Sequence, residues 1–369
     1  MRVTRVSVRD FRNYESAEAP LAGGLTVVHG PNGAGKTNLL EALYVGCTGR
    51  SCRTSNEREL VRAGAPLARV ELDTVGDDGQ HRIEVGLRPG EPKLVRVDGN
   101  AVERLADSPA RPLVSVFLPD RLELIKGPPA SRRGHLDQLV AALWPARAET
   151  RSSYARALAQ RNALVGRVRA GVSHRDLLDP WDAELGALGA RLMADRREAI
   201  ELVRPAFARR AEQLGLAEGP EIDYRPRSEA TDGEALAAEL LERRESDLDR
   251  GFTGHGPHRD EVALSHAGRR LREFGSQGEQ RTALLALLFA ERDALLDARR
   301  SAPLMLLDDV MSELDLERRS RLVELIRAGG QAVITTTDPE HVPGSSDSTA
   351  ALVAVERGAI ATRPSAVAA

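Results

Sequence analysis

Hydrophobic and polar residues alternate along the first 120 residues in the manner of β-strands. Residues 3–11, VTRVSVRDF, have a period of two, and residues 25–30, LTVVHG, form a short apolar run that ends in glycine. ARVELDTV and HRIEVGLR flank DDGQ as in a hairpin, KLVRVDGNAV turns at Asp98-Gly99, and LVSVFLP stops at Pro119. This part of the chain is therefore predicted to be mostly β-sheet.

The pattern changes to helical spacing between about 128 and 250. Ala, Leu, Arg and Glu dominate there, and residues 181–215 predict one long amphipathic helix, bent near Pro205. A strand-like EIDYRP at 221–226 precedes a last helix around 232–246. We expect an inserted, mainly helical lobe.

Strands and helices alternate again after about 251. DEVALSH, PLMLLD and QAVITTTD read as strands, GEQRTALLALLFAERDALL and LERRSRLVELIRAG read as helices, and LVAVERGAI as a short hairpin. The predicted fold class is α/β, with a discontinuous head formed by residues 1–127 and 251–369 and an inserted lobe at 128–250. The tail ATRPSAVAA is expected to be frayed.

Composition narrows the class of protein. The chain has 52 basic and 55 acidic residues and a net charge of −3, so any contact with nucleic acid needs a local basic patch. The two cysteines, Cys47 and Cys52, have no metal-ligand spacing and are expected to be reduced thiols. No apolar run reaches the ~18 residues of a membrane span, and the charged N-terminus does not read as a secretory signal. These features predict a cytoplasmic protein without a membrane partner.

One glycine-rich segment fits the phosphate-binding pattern G-x-x-x-x-G-K-[ST] in full. It lies between the predicted strand LTVVH and the predicted helix TNLLEALYVG, the context that such a loop requires. Backbone N–H groups of the loop and the helix N-terminus would face a triphosphate, the lysine would approach the β and γ phosphates, and the threonine would bind Mg²⁺. The residues are Gly30, Pro31, Asn32, Gly33, Ala34, Gly35, Lys36 and Thr37.

Two acids follow a buried strand at 304–307. Ligands of α/β sheets bind at the carboxyl ends of the strands, which is where Asp308 and Asp309 are expected. Asp308 suits the Mg²⁺ shell, and Asp309 is the candidate that orients or deprotonates the attacking water. Together with Lys36 they are the predicted catalytic residues. The alternative is a strand that ends in a solvated acidic turn.

Two further segments are weaker signals by themselves. Ser276-Gln277-Gly278-Glu279-Gln280 opens a helix, so Ser276 and Gly278 are candidates for a second anion contact. Residues 312–315, SELD, follow the acid pair and also suit a helix cap before the predicted helix at 316–327.

In this order, the four segments resemble an ABC-type ATPase head of the SMC/Rad50 kind. Residues 30–37 match the Walker A motif, 276–279 the signature, 304–308 the Walker B motif and 312–315 the D-loop. The resemblance implies that ATP and Mg²⁺ lie between the Walker A motif of one copy and the signature of a second, in an ATP-dependent homodimer.

The insertion of about 120 residues is too short for long coiled coils, and this narrows the resemblance to the RecF family of bacterial recombination-repair proteins. The resemblance runs from Val3 to about Gly358. It implies an ATP-dependent protein of DNA repair, DNA replication and the SOS response to DNA damage, which binds duplex or gap-junction DNA and acts with RecR and RecO in loading recombinase. The other segments that carry it are DFRNY at 10–14, FLPD at 117–120, RRGHLD at 132–137, QRNAL at 160–164 and GHGPH at 254–258.

Several positions depart from the family pattern. The signature has Glu279 where Gln is usual, the acid after the Walker B motif is Asp309 where transporters have Glu, and Thr337 lies near the place of a switch histidine. No Q-loop glutamine can be placed around Pro119. We therefore expect hydrolysis slower than ~10 s⁻¹, which suits a switch.

The strongest basic run lies in the helical lobe. It contains seven arginines and one glutamate before Asp176, and it is the candidate DNA contact, although its arginines do not share one helical face and a solvated surface would explain part of it. Lys126, Arg132 and Arg133 lie upstream. The seven are Arg147, Arg151, Arg156, Arg161, Arg167, Arg169 and Arg175.

Other interpretations stay open at this point. Another SMC-like ATPase, an ABC transporter subunit, a P-loop nuclease or a non-catalytic interaction module would also contain the phosphate loop. Arg50 and Arg53 could reach the nucleotide or a second copy, although a solvated surface is the default for an arginine. His255, His258 and Asp260 favour a packed loop over a metal site, because their spacing is not that of a helical pair of ligands.

Overall fold

A computed structural model of the chain describes residues 1–362, apart from the side chains of Asp107, Asp120, Arg121, Glu313 and Thr362. Most of the tail therefore lies outside the described residues. The chain forms two compact units. The first contains residues 1–121, 213–215 and those from 295 onward, and the second contains residues 122–212 and 216–294.

The described residues form fifteen strands. These are β1 (Arg2–Phe11), β2 (Tyr14–Pro20), β3 (Leu25–His29), β4 (Ala68–Gly76), β5 (Gly79–Leu87), β6 (Leu94–Val97), β7 (Asn100–Ala101), β8 (Val114–Phe117), β9 (Glu221–Arg225), β10 (Glu261–His266), β11 (Arg269–Arg270), β12 (Leu304–Leu307), β13 (Ala332–Thr336), β14 (Ala351–Glu356) and β15 (Ala359–Thr362).

The same residues contain ten α-helices, besides short 3₁₀ turns. These are α1 (Lys36–Thr48), α2 (Glu123–Lys126), α3 (Pro129–Leu143), α4 (Ala148–Arg169), α5 (Asp179–Gln213), α6 (Gly233–Glu242), α7 (Arg244–Arg250), α8 (Leu271–Phe274), α9 (Gln277–Arg299) and α10 (Leu316–Arg327).

The first unit contains two six-stranded sheets. One is antiparallel, in the order β2-β1-β4-β5-β6-β7. The other has the order β15-β14-β3-β13-β12-β8 and is parallel except for β15. Since β3, β13 and β12 are parallel neighbours, their carboxyl ends lie at one edge of the sheet. The segments after β3 and β12 therefore come together, as ligand sites of α/β sheets require.

Helix α1 contacts strands of both sheets, and a single hydrophobic cluster joins all three elements. Leu39, Leu40 and Leu43 of the helix are fully buried, as are Val70 of β4 and Val333 of β13. The strands that contribute to this core include those that the spacing of apolar residues predicted. The helix that follows the phosphate loop is therefore clamped between two packed surfaces.

The second unit is mainly helical and contains the three-stranded sheet β11-β10-β9. Residues 251–294 belong to this unit, whereas the predicted division placed them in the head. The physical reason lies in pairing that sequence periodicity does not show: β10 pairs antiparallel with β9 from Glu261↔Arg225 to Ser265↔Glu221.

The α/β prediction is confirmed, and most elements lie where the pattern placed them. The long helix predicted at 181–215 is α5, which continues through Pro205. Two details differ: the helix predicted at 232–246 is two helices that meet at Arg243, and β2 has no counterpart among the predicted strands.

Candidate nucleotide-binding site

The loop between β3 and α1 has the backbone of a phosphate-binding loop. Gly30, Gly33 and Gly35 have φ values of 151°, 77° and 120°, which residues other than glycine rarely adopt. A Cβ on Gly30 would lie 2.1 Å from the carbonyl oxygen of Val355. All three glycines are thus favoured by the backbone of the turn, and Gly30 is also required by the close approach of β14.

Lys36 is buried at the start of α1, with 8% of its surface exposed. Its Nζ donates hydrogen bonds to the carbonyl oxygens of Gly30, at 2.8 Å, and of Pro31, at 3.0 Å. Burial lowers the pKa of the ammonium group, and the charges of Asp309 and Asp308 oppose that shift. The cation therefore lies inside the loop that would hold the phosphates.

Thr37 and Asp308 meet although 271 residues separate them. The Thr37 hydroxyl lies 3.0 Å from Oδ1 and 2.9 Å from Oδ2 of Asp308. Burial raises the pKa of Asp308, while hydrogen bonds from Thr335 and Thr37 act in the opposite direction. A hydroxyl and a carboxylate are hard oxygen donors of the kind that Mg²⁺ uses together with phosphate and water, so the residues fit the implied cation.

Asp309 adopts a left-handed backbone, with φ 46° and ψ 31°, a conformation that aspartate tolerates better than most residues. Its N–H donates to the hydroxyl of Thr335 at 2.9 Å. The Ser312 hydroxyl lies 2.9 Å from the carbonyl oxygen of Asp309 and 3.1 Å from its Oδ2. The first residue of the predicted D-loop thus contacts the candidate catalytic acid within one chain.

The turn between β1 and β2 supports the phosphate loop. The amide Nδ2 of Asn13 donates to the carbonyl oxygen of Ala34 at 2.9 Å, and the Tyr14 hydroxyl donates to that of Gly35 at 2.9 Å. The family resemblance singled out DFRNY, but no role for these residues could be predicted from the sequence, because the contact spans about 21 residues and two sheets.

Glu41 of α1 is buried and binds three groups. Arg12 donates to its two carboxylate oxygens at 2.8 Å each, the Ser51 hydroxyl donates to Oε1, and Arg53 donates to Oε2 at 3.1 Å. Burial disfavours the charged form of Glu41, but the bonds from Arg12 and Ser51 outweigh it and the pKa is lowered. Arg53, a candidate for the nucleotide or a second copy, is here part of this cluster, whereas Arg50 is exposed.

The predicted signature lies in the second unit, at the start of α9. Ser276 and Gly278 are exposed. The Ser276 hydroxyl accepts a hydrogen bond from the N–H of Glu279 at 3.2 Å, and the Glu279 carboxylate accepts one from the N–H of Ser276 at 2.7 Å. This reciprocal pair is a capping box, which explains how a glutamate serves at this position.

The arginine run of the second unit separates into structural and free members. Arg161 is fully buried and binds Asp182 and Asp247, while Arg147, Arg151 and Arg175, which are at least partly exposed, each pair with one or two carboxylates. The other three are exposed and, within the part of the chain that the structure describes, pair with no carboxylate, although Arg156 donates a hydrogen bond to the Ser153 hydroxyl. They are Arg156, Arg167 and Arg169.

The histidine-rich loop is packed, as predicted. His258 lies 2.8 Å from the Tyr154 hydroxyl, and Asp260 is buried against Tyr224 and Arg196. Over residues 1–362 no group of three or more His, Cys, Asp or Glu side chains is arranged to hold a metal. Among the helices that the structure describes, none is both long and apolar enough to cross a membrane.

Comparison with known proteins gives one family. The model of the RecF/RecN/SMC N-terminal domain matches residues 2–361. The chain is 38% identical over 360 residues to the DNA replication and repair protein RecF of Streptomyces avermitilis, with 93% of this chain and 95% of the relative covered. It is also 38% identical to that of Myxococcus xanthus, with 98% of both chains covered.

Solved structures agree with the sequence relatives. The recombination mediator protein RecF-ATP of the RecFOR pathway matches with a TM-score of 0.88 and 28% identity over 98% of both chains. A Smc head domain from Pyrococcus furiosus matches with a TM-score of 0.58 at 18% identity, a likeness that concerns the fold alone. The chain therefore belongs to the RecF/RecN/SMC N-terminal domain family, among the RecF proteins of DNA replication and repair.

Proposed function

We propose that the protein is an ATP-switched DNA-binding dimer of recombinational repair. The observation that carries the proposal is the contact of Thr37 with Asp308 at one edge of the parallel sheet, next to the loop in which Lys36 is buried. A strand, a glycine loop, a helix and an acid from a neighbouring strand together form the site that P-loop proteins use for a nucleoside triphosphate.

The phosphate chain would lie over the N–H groups of residues 30–37, which the positive dipole end of α1 also faces. Lys36 now donates to its own loop and would transfer those hydrogen bonds to phosphate oxygens. Thr37 and Asp308 would hold Mg²⁺, which neutralises charge on the β and γ phosphates when bound.

Asp309 is the group that we assign to the attacking water. Its carboxylate follows Asp308 directly, and Ser312 contacts it at 3.1 Å. A carboxylate held by its own D-loop is a weak base until that contact changes. Slow hydrolysis by a switch, below ~10 s⁻¹, fits this arrangement.

The second copy enters through the signature. Ser276 is exposed at the N-terminus of a 23-residue helix, where an anion is stabilised. We propose that Ser276 and Gly278 of one copy bind the triphosphate held by the other, so that ATP completes the interface between two copies.

DNA binding would use the exposed arginines of α4. Arg156, Arg167 and Arg169 have the charge to neutralise backbone phosphates, and aromatic side chains for base stacking make up only 3% of the chain. We therefore propose backbone contacts to duplex or gap-junction DNA. The RecF relatives are DNA replication and repair proteins, and one of the similar solved structures is a recombination mediator of the RecFOR pathway, which supports repair as the setting. We further propose that the protein acts in the cytoplasm with RecR and RecO in loading recombinase.

The test measures molar mass and gapped-DNA binding with and without Mg²⁺-ATP. We expect ATP to double the mass of the wild type and to strengthen DNA binding at least tenfold. Asp309→Asn should retain both effects and lose hydrolysis. Ser276→Arg should remain monomeric, because it puts a much larger side chain at the proposed phosphate contact and removes the hydroxyl that caps the start of α9.

The matched control is Gln277→Arg, which adds the same charge at an exposed neighbouring position. It should dimerise more readily than Ser276→Arg. An unchanged wild-type mass in ATP would contradict the proposal and favour an interaction module that only retains the loop.

A further inference from the structure

Thr335 lies beside the acid pair on the next strand. It belongs to β13, whose residues are all buried, and follows Ile334, the register partner of Leu307. Thr335 is fully buried, with 0% of its surface exposed. It therefore lies alongside the start of the Asp308-Asp309 turn.

The Thr335 hydroxyl bridges the two acids. It donates to Oδ1 of Asp308 at 2.6 Å and accepts from the N–H of Asp309 at 2.9 Å. Both geometries are those of good hydrogen bonds. A hydroxyl in a buried strand is costly unless it is bonded, and both of these bonds end on the acid pair.

A bound cation would affect the two hydroxyls that contact Asp308 differently. Thr37 is the proposed cation ligand, so its contact with Asp308 must change when a cation binds. The Thr335 bond does not compete with the cation in this way, because Thr335 is not a proposed ligand. Thr335 donates to Oδ1 of Asp308, whereas the Thr37 hydroxyl contacts both carboxylate oxygens from the side of the phosphate loop.

We infer that Thr335 is a positioning residue, which fixes the Asp308 carboxylate for Mg²⁺ and holds the left-handed turn at Asp309. The inference rests on the proposed function and assigns it a residue outside the family motifs. Partners that orient a metal ligand commonly change metal affinity by 10–100-fold when they are removed.

Thr336 supplies a matched control on the same strand. It is also buried, and its hydroxyl binds within its own turn, donating to the carbonyl oxygen of Asp338 at 2.9 Å and accepting from the N–H of Asp338 at 3.3 Å. Thr336→Val thus removes a buried hydroxyl that does not contact the acid pair.

The experiment titrates Mg²⁺ against the binding of a fluorescent ATP analogue to the full chain, with a parallel titration in EDTA. Thr335→Val should raise the Mg²⁺ concentration at half-maximal binding by about 10- to 100-fold and leave binding in EDTA unchanged. Thr335→Ser and Thr336→Val should resemble the wild type. Where Thr335→Val does not fold, Thr335→Ala provides the same readout without an added methyl group.

The outcomes separate the inference from the proposed function. Wild-type binding that depends on Mg²⁺, with an unchanged midpoint in Thr335→Val, overturns the inference alone. So does an equal loss of binding in EDTA, which would show a merely structural role. Wild-type binding that ignores Mg²⁺ overturns the proposed Mg²⁺ site and the inference with it.

Discussion

The Glu279 carboxylate has two opposing effects at the start of α9. The capping box with Ser276 stabilises the start of α9, and the same carboxylate places negative charge at the proposed phosphate contact. The bonds from Ser276 lower the pKa of Glu279, so it is ionised at neutral pH. His266 lies 3.2 Å from Oε1 of Glu279 and offsets that charge only when it is protonated.

Glu279→Gln should strengthen ATP-dependent dimerisation. Glutamine keeps a capping oxygen but removes a charge that repels the partner's triphosphate, and a charge near a helix terminus is worth about 0.3–1 kcal/mol. Since the interface contains the contact twice, we expect half-maximal association in ATP at a protein concentration lower by about 3- to 30-fold.

Sedimentation in low salt measures the effect. Glu273→Gln, which removes an exposed charge from the turn before the signature, is the control and should change association by less than a factor of two. A gain that persists unchanged in 1 M salt would argue against an electrostatic cause.

At the scale of elements, α4 carries two kinds of arginine. Arg161 faces the interior of the second unit, where it lies 2.6 Å from Asp182, 2.7 Å from Asp247 and 2.7 Å from the Thr253 hydroxyl. Arg167, two turns further along the helix, is exposed. The helix thus joins a folding determinant to a candidate DNA contact.

Arg161→Met should destabilise the second unit by about 3–5 kcal/mol, because it leaves the buried carboxylate of Asp247 without its cation and removes one of the two arginines that bind Asp182. Arg167→Ala should change the free energy of unfolding by less than about 0.5 kcal/mol and should weaken DNA binding. Urea unfolding and DNA titration of both variants separate the two roles.

Equal stability of Arg161→Met and the wild type would show that the buried network does not hold the unit together. Unchanged DNA affinity in Arg167→Ala, measured with ATP, would remove this face of α4 from the proposed DNA contact.

At the scale of the whole molecule, the candidate DNA contact is basic although the net charge is negative. The chain has a net charge of −3, so DNA must bind to a local concentration of basic residues and is repelled by the acidic remainder of the surface. Each copy offers three exposed arginines on α4, and two copies that act together double that number. This gives a physical reason for DNA affinity to depend on the dimer.

The salt dependence of DNA binding in ATP should show how many of these arginines contact DNA phosphates. With three arginines from each copy, the slope of log affinity against log salt should be about −5, since each neutralised phosphate contributes about −0.9. Arg167→Ala with Arg169→Ala should reduce the slope to about −2. Fluorescence titration between 50 and 300 mM salt measures both slopes. Equal slopes for the wild type and the double variant would exclude Arg167 and Arg169 from the DNA contact.

The sequence by itself determined the phosphate loop, the acid pair, the strand and helix pattern and the family. Each of these is contiguous or periodic, so local chemistry and spacing reveal it. The tertiary structure decided which separated residues meet: Thr37 with Asp308, Thr335 with the acid pair, and Asn13 with the phosphate loop.

Burial also came only from the folded chain. Arg161 and Arg167 are alike in the sequence, but one is sealed against two carboxylates and the other faces solvent. The physical reason is that hydrogen bonding and desolvation depend on distances between elements, which parallel pairing and helix packing set and which neighbouring residues in the chain do not.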